Sequence, residues 1–325
     1  MNSMDALSLA PAHAALLRCA ASDIDVGGPW LFWSAPPSLS LRRSLESLGQ
    51  LVPVLVDGSG ARPVLVAGSA RVTVLAELGR EVLCLDLGAT NGLIRGIAYA
   101  QSNAGRETSD GQVVLAMRYF QTLPDADQES VFNALGLEPR SKRLRLVRSW
   151  LSLPAHWDAF LCAGAVPLAC ADLLEAFSSE DRDSLEALFV SLSWSRGNAV
   201  NVLTWIREIC LRDGVSVAGV LEGAGVKDIL AGGLSPKDAM SRITQEVRLL
   251  RYPALSGMER DFQEAARAIS GGTRWKVTQP DLFESDAVEL SVRLTSPAEL
   301  GAASQELARI AAREDLDTLF CAGRK

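Results

Sequence analysis

Residues 41–87 constrain the fold of this 325-residue chain more than any other stretch. They read LRRSLESLGQLVPVLVDGSGARPVLVAGSARVTVLAELGREVLCLDL. Two apolar runs, at 51–56 and 64–67, are strand-sized and are parted by the turn Asp57-Gly58-Ser59-Gly60. A third such run, 82–87, follows a helix predicted over 70–78, with Gly79 just past its end. A leading helix is predicted over 41–48, with Ser40 as its cap and Leu41, Leu45 and Leu48 on one face. Pro53 has no N–H for a ladder, which puts it at a strand start or on an edge. This alternation requires a small α/β sheet. Gly68 stands at a strand-to-helix junction, where the missing Cβ lets a ligand approach the backbone. The free N–H groups of that helix start suit an anion, and Arg71 in its first turn adds a forked cation. The plainer alternative is that Gly68 only makes the turn and Arg71 is a surface residue.

The rest of the chain changes character twice. Residues 1–34 are expected to be a lead-in, mobile or briefly helical. Its start has no basic n-region and contains Asp5, so it does not read as a signal peptide. Residues 28–40 mix aromatics with Pro36-Pro37 and read as irregular. Residues 101–111 form a polar loop, and beyond it the apolar spacing is helical. Helices are predicted over 112–121, 125–135, 141–151, 155–161, 167–177, 181–192 and 198–211, with shorter ones to residue 250. Another is predicted over 257–269, and Gly271-Gly272 makes a flexible joint. Residues 274–278 and 288–295 read as strands, the second alternating cleanly. Ser296-Pro297-Ala298-Glu299 has the pattern of a capping box before a last helix. The expected organisation is α+β and multidomain. It comprises a lead-in 1–34, an α/β domain 35–108, a helical domain 109–252, a helical linker 253–272 and a β-β-α unit 273–325. That last unit is too small to bury its sheet alone and is expected to pack on a second copy of itself.

The chain is 48% hydrophobic and 22% charged, so an ordered protein is expected. No apolar run approaches a membrane span, and a cytoplasmic location without a membrane partner is expected. The six cysteines lie far apart and the only histidines are His13 and His156, which excludes zinc-type ligand spacing. Buried free thiols are the expected state of the cysteines. His156 reads as a packing or surface residue, with no carboxylate partner to name. Trp150, Trp157, Trp194 and Trp205 fall at apolar helical positions and read as core. A formal charge of −7 argues against a protein that coats nucleic acid uniformly, but not against a local basic face.

Such a face is visible. Arg140, Lys142, Arg143, Arg145 and Arg148 crowd into nine residues. On a helix from 141, Leu144, Val147 and Leu151 face inward while Lys142, Arg145 and Arg148 point out. Residues 125–135, the turn at Gly136 and residues 141–151 together read as a helix-turn-helix, whose second helix would enter the major groove. That helix carries arginines but no Asn or Gln for adenine edges, so phosphate contact is better supported than base reading. A solvated basic surface is the competing reading.

These segments together resemble the ParB family of partition proteins. In that family a segment L-x-x-S-I-x-x-x-G-x-x-x-P-x-x-V precedes a box G-E-R-R-x-x-A. Here Leu41, Ser44, Leu45, Gly49, Pro53 and Val56 match the first element. Gly68-Ser69-Ala70-Arg71 aligns with the box, with Ser69 and Ala70 in place of its glutamate and first arginine. A second family box, E-N-L-Q-R-E, aligns with Ser102-Asn103-Ala104-Gly105-Arg106-Glu107, which keeps the asparagine, arginine and final glutamate. The resemblance covers roughly residues 35–215. It implies a ParB/sulfiredoxin-like α/β N-terminal domain that binds cytidine triphosphate (CTP) with magnesium. Gly68, Ser69, Arg71, Arg106 and Glu107 would form the nucleotide site, with Asn103 at the metal. Sulfiredoxin chemistry would need a cysteine where Ser69 stands.

The leading expectation is a dimeric, nucleotide-dependent DNA clamp of the partition or nucleoid-organising type. DNA, a second copy and a ParA-like ATPase are its expected partners. The alternative is an interaction adapter of the same fold that has lost nucleotide chemistry, as Ser69, Ala70 and Ser102 suggest. A weak CTPase ranks behind both.

Overall fold

The computed structural model describes residues 15–321, apart from 34, 35, 125 and 282. Part of the lead-in, Asp125 of the predicted helix 125–135, and the Cys321 side chain lie outside the described residues. The architecture is α+β, and the chain divides into two compact units between Leu203 and Thr204. That boundary falls inside a helix, whereas the sequence reading places its domain limits at 108, 252 and 272.

The first unit opens with β1 (Ala15–Cys19) and α1 (Leu39–Leu48). Then follow β2 (Val54–Asp57), β3 (Val64–Ala67), α2 (Ser69–Glu77) and β4 (Val82–Asp86). The four strands lie in the order β1-β4-β2-β3. β2 runs parallel to β4 and antiparallel to β3, while β1 is antiparallel to β4, with Ala15 opposite Asp86 and Cys19 opposite Val82. Val54, Val56, Leu65, Val72, Leu75 and Val82 fill the core beneath the helices. β1 corrects the lead-in reading of residues 15–19. Its five residues show no apolar alternation and Leu16 is exposed, so the sequence carries little signal. Backbone pairing to the edge of β4 is what makes it a strand.

Two further limits move. Leu51 and Val52 are exposed, and β2 begins at Val54, directly after Pro53. α1 starts earlier than predicted because Ser38, not Ser40, caps it, accepting from the Leu41 N–H at 3.2 Å. The irregular segment 28–40 proves to be well tied down. Trp30 Nε1 donates to the Leu65 carbonyl at 3.0 Å, and Trp33 Nε1 to the Gln112 carbonyl at 3.0 Å.

Helices α3 (Gly92–Ser102), α4 (Asp110–Gln121), α5 (Gln128–Leu135) and α6 (Lys142–Leu151) follow. The polar loop is shorter than predicted, because Ser109 and Gln112 close a capping box that starts α4. α7 (Trp157–Cys162), α8 (Ala171–Glu175) and α9 (Ser179–Leu185) complete the cluster, the last two flanked by short 3-10 turns. Trp150, Trp157 and Trp194 are buried as expected, and Trp205 is half-buried. Cys84 and Cys170 are buried free thiols, but Cys162 is exposed.

Two buried carboxylates organise this unit. Asp158, on α7, accepts from Trp150 Nε1 at 2.9 Å and from Arg118 Nη2 at 3.0 Å. The same guanidinium reaches the Leu153 carbonyl at 2.9 Å, so one clasp joins α4, α6 and α7. Asp57, at the end of β2, accepts from Ser59, Thr90 and Arg95. Burial opposes its ionisation, but those hydrogen bonds outweigh it and hold the carboxyl far below the usual carboxylate range. A depressed carboxylate contributes stability above its unfolded value of about 3.9, and that contribution is lost as pH falls below it. Asp57→Asn is therefore expected to lower stability at pH 7 and to flatten its decline below pH ~4. Urea midpoints measured across pH check this, and an unchanged slope would contradict it.

The second unit holds the rest of α10 (Arg196–Asp213), then α11 (Val217–Gly223), α12 (Val226–Ala231), α13 (Pro236–Arg251) and α14 (Pro253–Ser270). β5 (Lys276–Thr278) and β6 (Glu289–Ser291) form an antiparallel pair, and α15 (Pro297–Ala311) and α16 (Thr318–Cys321) end the chain. Residues 253–270 of the expected helical linker form α14. Phe262, Ala266 and Ile269 of α14 share a core with Val277, Ile310 and Leu319. The long helix supplies the apolar cover that the small sheet lacks by itself. Ser296 makes no capping bond; Glu299 instead accepts from the Thr295 N–H and hydroxyl, both at 2.8 Å. Among the described residues, no helix is long and apolar enough to cross a membrane.

Candidate anion cleft and basic helix

The turn from β3 into α2 builds the first candidate site. Gly68 adopts φ +109, and a Cβ there would meet Val54 Cγ1 at 2.7 Å. Only glycine fits both the backbone and the space. No side chain caps α2, which leaves the N–H groups of Ser69 and Ala70 without a capping acceptor. Arg71 folds back along this turn and donates through Nη1 to the Pro53 carbonyl at 3.2 Å. Burial, and then the nearby Arg106 guanidinium, push the Arg71 pKa down.

Arg106 comes from the loop after α3. With Gly68, Ser69, Arg71, Asn103 and Tyr99 it lines a cleft of about 520 Å³. The structure thus gathers five of the six residues that the two boxes suggest for the nucleotide site. The sixth, Glu107, is exposed and does not line the cleft. Among the described residues the lining contains two guanidiniums and no carboxylate. Asn103 sits at the end of α3, and its amide nitrogen donates to the Tyr99 carbonyl at 2.9 Å. Ser102, in place of the family glutamate, donates its hydroxyl to that same carbonyl at 2.9 Å.

Trp33 and Tyr99 were not legible as lining residues, yet both border the cleft. Phe32 packs edge-on against Tyr99 at 5.1 Å, and Trp33 lies 5.7 Å from the same ring. The cluster of aromatics before Pro36-Pro37 was the available signal. Burial pushes the Tyr99 phenol up, so it stays a neutral wall at ordinary pH.

The second candidate is α6. Its buried face carries Leu144, Leu146, Val147 and Trp150. Lys142, Arg145 and Arg148 are exposed, and α5 leads into the helix through a turn at Gly136 with φ +63. The basic residues are not equally available. Arg143 Nε donates to Asp110 at 2.9 Å, Arg145 pairs with Asp172, and Arg148 lies 5.5 Å over the Phe132 ring. Arg140 and Lys142 make no hydrogen bond or ion pair through their side chains among the described residues. Arg196, at the start of α10, is likewise unpaired and lines one groove with Lys142 and Arg143. Nothing in the local sequence joins residue 196 to residue 142, so this neighbour was not legible.

His156 does have carboxylate partners. Its Nε2 lies 2.7 Å from Glu186 Oε1, and Asp183 stands close by. This corrects the expectation that none could be named, because the partners come from α9 and the turn after it, 27 and 30 residues on.

The fold and these two sites define an α+β chain with a cationic cleft at a strand-to-helix turn and a basic helical groove. No protein-family model matches the sequence, and no curated protein does. Among solved structures, the chain is similar to the C-terminally truncated chromosome-partitioning protein ParB from Caulobacter crescentus complexed to the centromeric parS site. The identity is 15% and the TM-score 0.34, covering 70% of this chain and 99% of that one. It is also similar to C-terminally truncated ParB of the same organism complexed with CTP-gamma-S. There the identity is 16% and the TM-score 0.24, covering 54% of this chain and 98% of that one.

Proposed function

We propose that this chain binds a nucleoside triphosphate in the Gly68–Arg71–Arg106 cleft and DNA along the groove of α6. One observation carries the nucleotide reading. Two guanidiniums without a carboxylate flank an uncapped helix start in a cleft of about 520 Å³. That combination suits a polyanion with a base attached. The box resemblance makes CTP the nucleotide to test first. Binding rather than turnover is the expected activity, since among the described residues no carboxylate or histidine lines the cleft to activate water.

DNA contact is expected to be mainly electrostatic, through Arg140, Lys142 and Arg196, with Arg143, Arg145 and Arg148 able to exchange intramolecular partners for phosphates. In the full reading, nucleotide favours closure of paired N-terminal units around DNA. The pairing would run through the C-terminal unit, and a ParA-like ATPase would be the partner. The adapter alternative is favoured by the ion pairs that already occupy Arg143 and Arg145.

A nucleotide panel in a thermal shift assay, with and without DNA, tests the reading. A nucleotide at about a hundred times its Kd stabilises by ~2.7 kcal/mol, so CTP should raise Tm clearly. No shift with any nucleotide would favour the adapter. For DNA, Lys142→Ala with Arg196→Ala should reduce the slope of log K against log salt by about 2. An unchanged slope would remove α6 and α10 from the contact surface.

A further inference from the structure

We infer that the cleft takes a triphosphate as the free anion and does not need magnesium. This rests on the nucleotide reading above and concerns the metal that the box resemblance attaches to it. Magnesium at nucleotide sites is usually held by one or two protein carboxylates together with phosphate oxygens and waters. Among the described residues the cleft offers no carboxylate: Ser102 stands where the second box has its leading glutamate, Ser69 where the first box has its own, and Glu107 is outside the lining. Asn103, the remaining metal candidate, already spends its amide nitrogen on the Tyr99 carbonyl and packs that group against Ser102 Oγ at 3.3 Å. That hydrogen bond fixes the amide and leaves its Oδ1 as one neutral oxygen at the cleft, with no anionic ligand beside it among the described residues. The donor set therefore does not fit a protein-held magnesium.

The charges point the same way. Arg71 and Arg106 face one cleft, and Arg71 is partly removed from water by its fold along the Gly68 turn. Two like charges in a partly desolvated site gain most from the ligand of greatest negative charge. A free triphosphate carries about four negative charges, and its magnesium complex about two. Bringing the dication in would add repulsion against both guanidiniums with no carboxylate to offset it. The two arginines and the α2 N–H groups do the neutralising that a metal does elsewhere.

The test is calorimetric titration of CTP into the full chain, once with magnesium and once with excess EDTA. The expected result is a Kd in EDTA equal to that in magnesium within about threefold, or tighter. Inorganic triphosphate in EDTA should compete. Binding that weakens more than about tenfold in EDTA and returns with magnesium would overturn the inference while leaving the nucleotide reading intact. No heat under either condition would overturn the nucleotide reading itself. Asn103→Ala supplies a second arm. It should leave the ratio of the two Kd values unchanged; a ratio that moves would place a metal at that residue.

Discussion

Asp158→Ala is expected to lower the stability of the N-terminal unit by about 3–5 kcal/mol, the usual effect of removing one partner from a buried, hydrogen-bonded charge pair. Asp158 is 5% exposed and is one of few buried charged residues in the described chain. Its carboxylate answers three donors at once: Arg118 Nε, Arg118 Nη2 and Trp150 Nε1. Truncation would leave the fully buried Trp150 indole N–H without an acceptor and take the carboxylate from the Arg118 guanidinium, which is 22% exposed. Arg118 would keep the Leu153 carbonyl at 2.9 Å, which places the effect nearer the lower end of the range. Asp158→Asn should cost less, since an amide oxygen still accepts from Trp150. Urea denaturation of the three proteins gives the comparison. A loss under about 1 kcal/mol for the alanine variant would show that the clasp is a surface pair in effect.

Arg71→Ala is expected to weaken CTP binding by roughly 10–100-fold, the equivalent of one lost hydrogen-bonded charge contact of about 1.5–3 kcal/mol. The variant should remain folded, because Arg71 makes a single internal bond, to the Pro53 carbonyl. Arg106→Ala should weaken binding as well, and the exposed position of Arg106 makes it the cleaner control for folding. Gly68→Ala is a poor probe of binding, since its Cβ would strike Val54 and strain the turn together. Equilibrium binding of labelled CTP to the two arginine variants is the readout. Wild-type affinity in Arg71→Ala would detach this residue from the phosphates.

Much of this architecture was readable from the chain. Apolar runs with glycine and proline at their ends gave β2, β3, β4 and the start of α2, because burial on both sides of a sheet leaves continuous hydrophobic stretches. Gly68 and Arg71 were readable as a site because a strand-to-helix turn concentrates backbone donors in sequence. Other features were not local. β1 is held by pairing to Val82–Asp86, nearly seventy residues on, and its own side chains show no pattern. Arg196 joins Lys142 only in the folded chain, where both line one groove. The packing of α14 was not local either: its Phe262 and Ile269 share a core with Val277, Ile310 and Leu319. The ion pairs that occupy Arg143 and Arg145 were likewise hidden, since Asp110 and Asp172 lie on other helices.

Hydrogen exchange of the full chain, with and without saturating CTP, tests the central claim most directly. The account predicts slower exchange at the start of α2, around residues 69–71, and in the loop at 102–106 where Asn103 and Arg106 stand. Protection should appear at both segments together and vanish in Arg71→Ala. Unchanged exchange at both segments under millimolar CTP, or protection confined to another part of the chain, would contradict it.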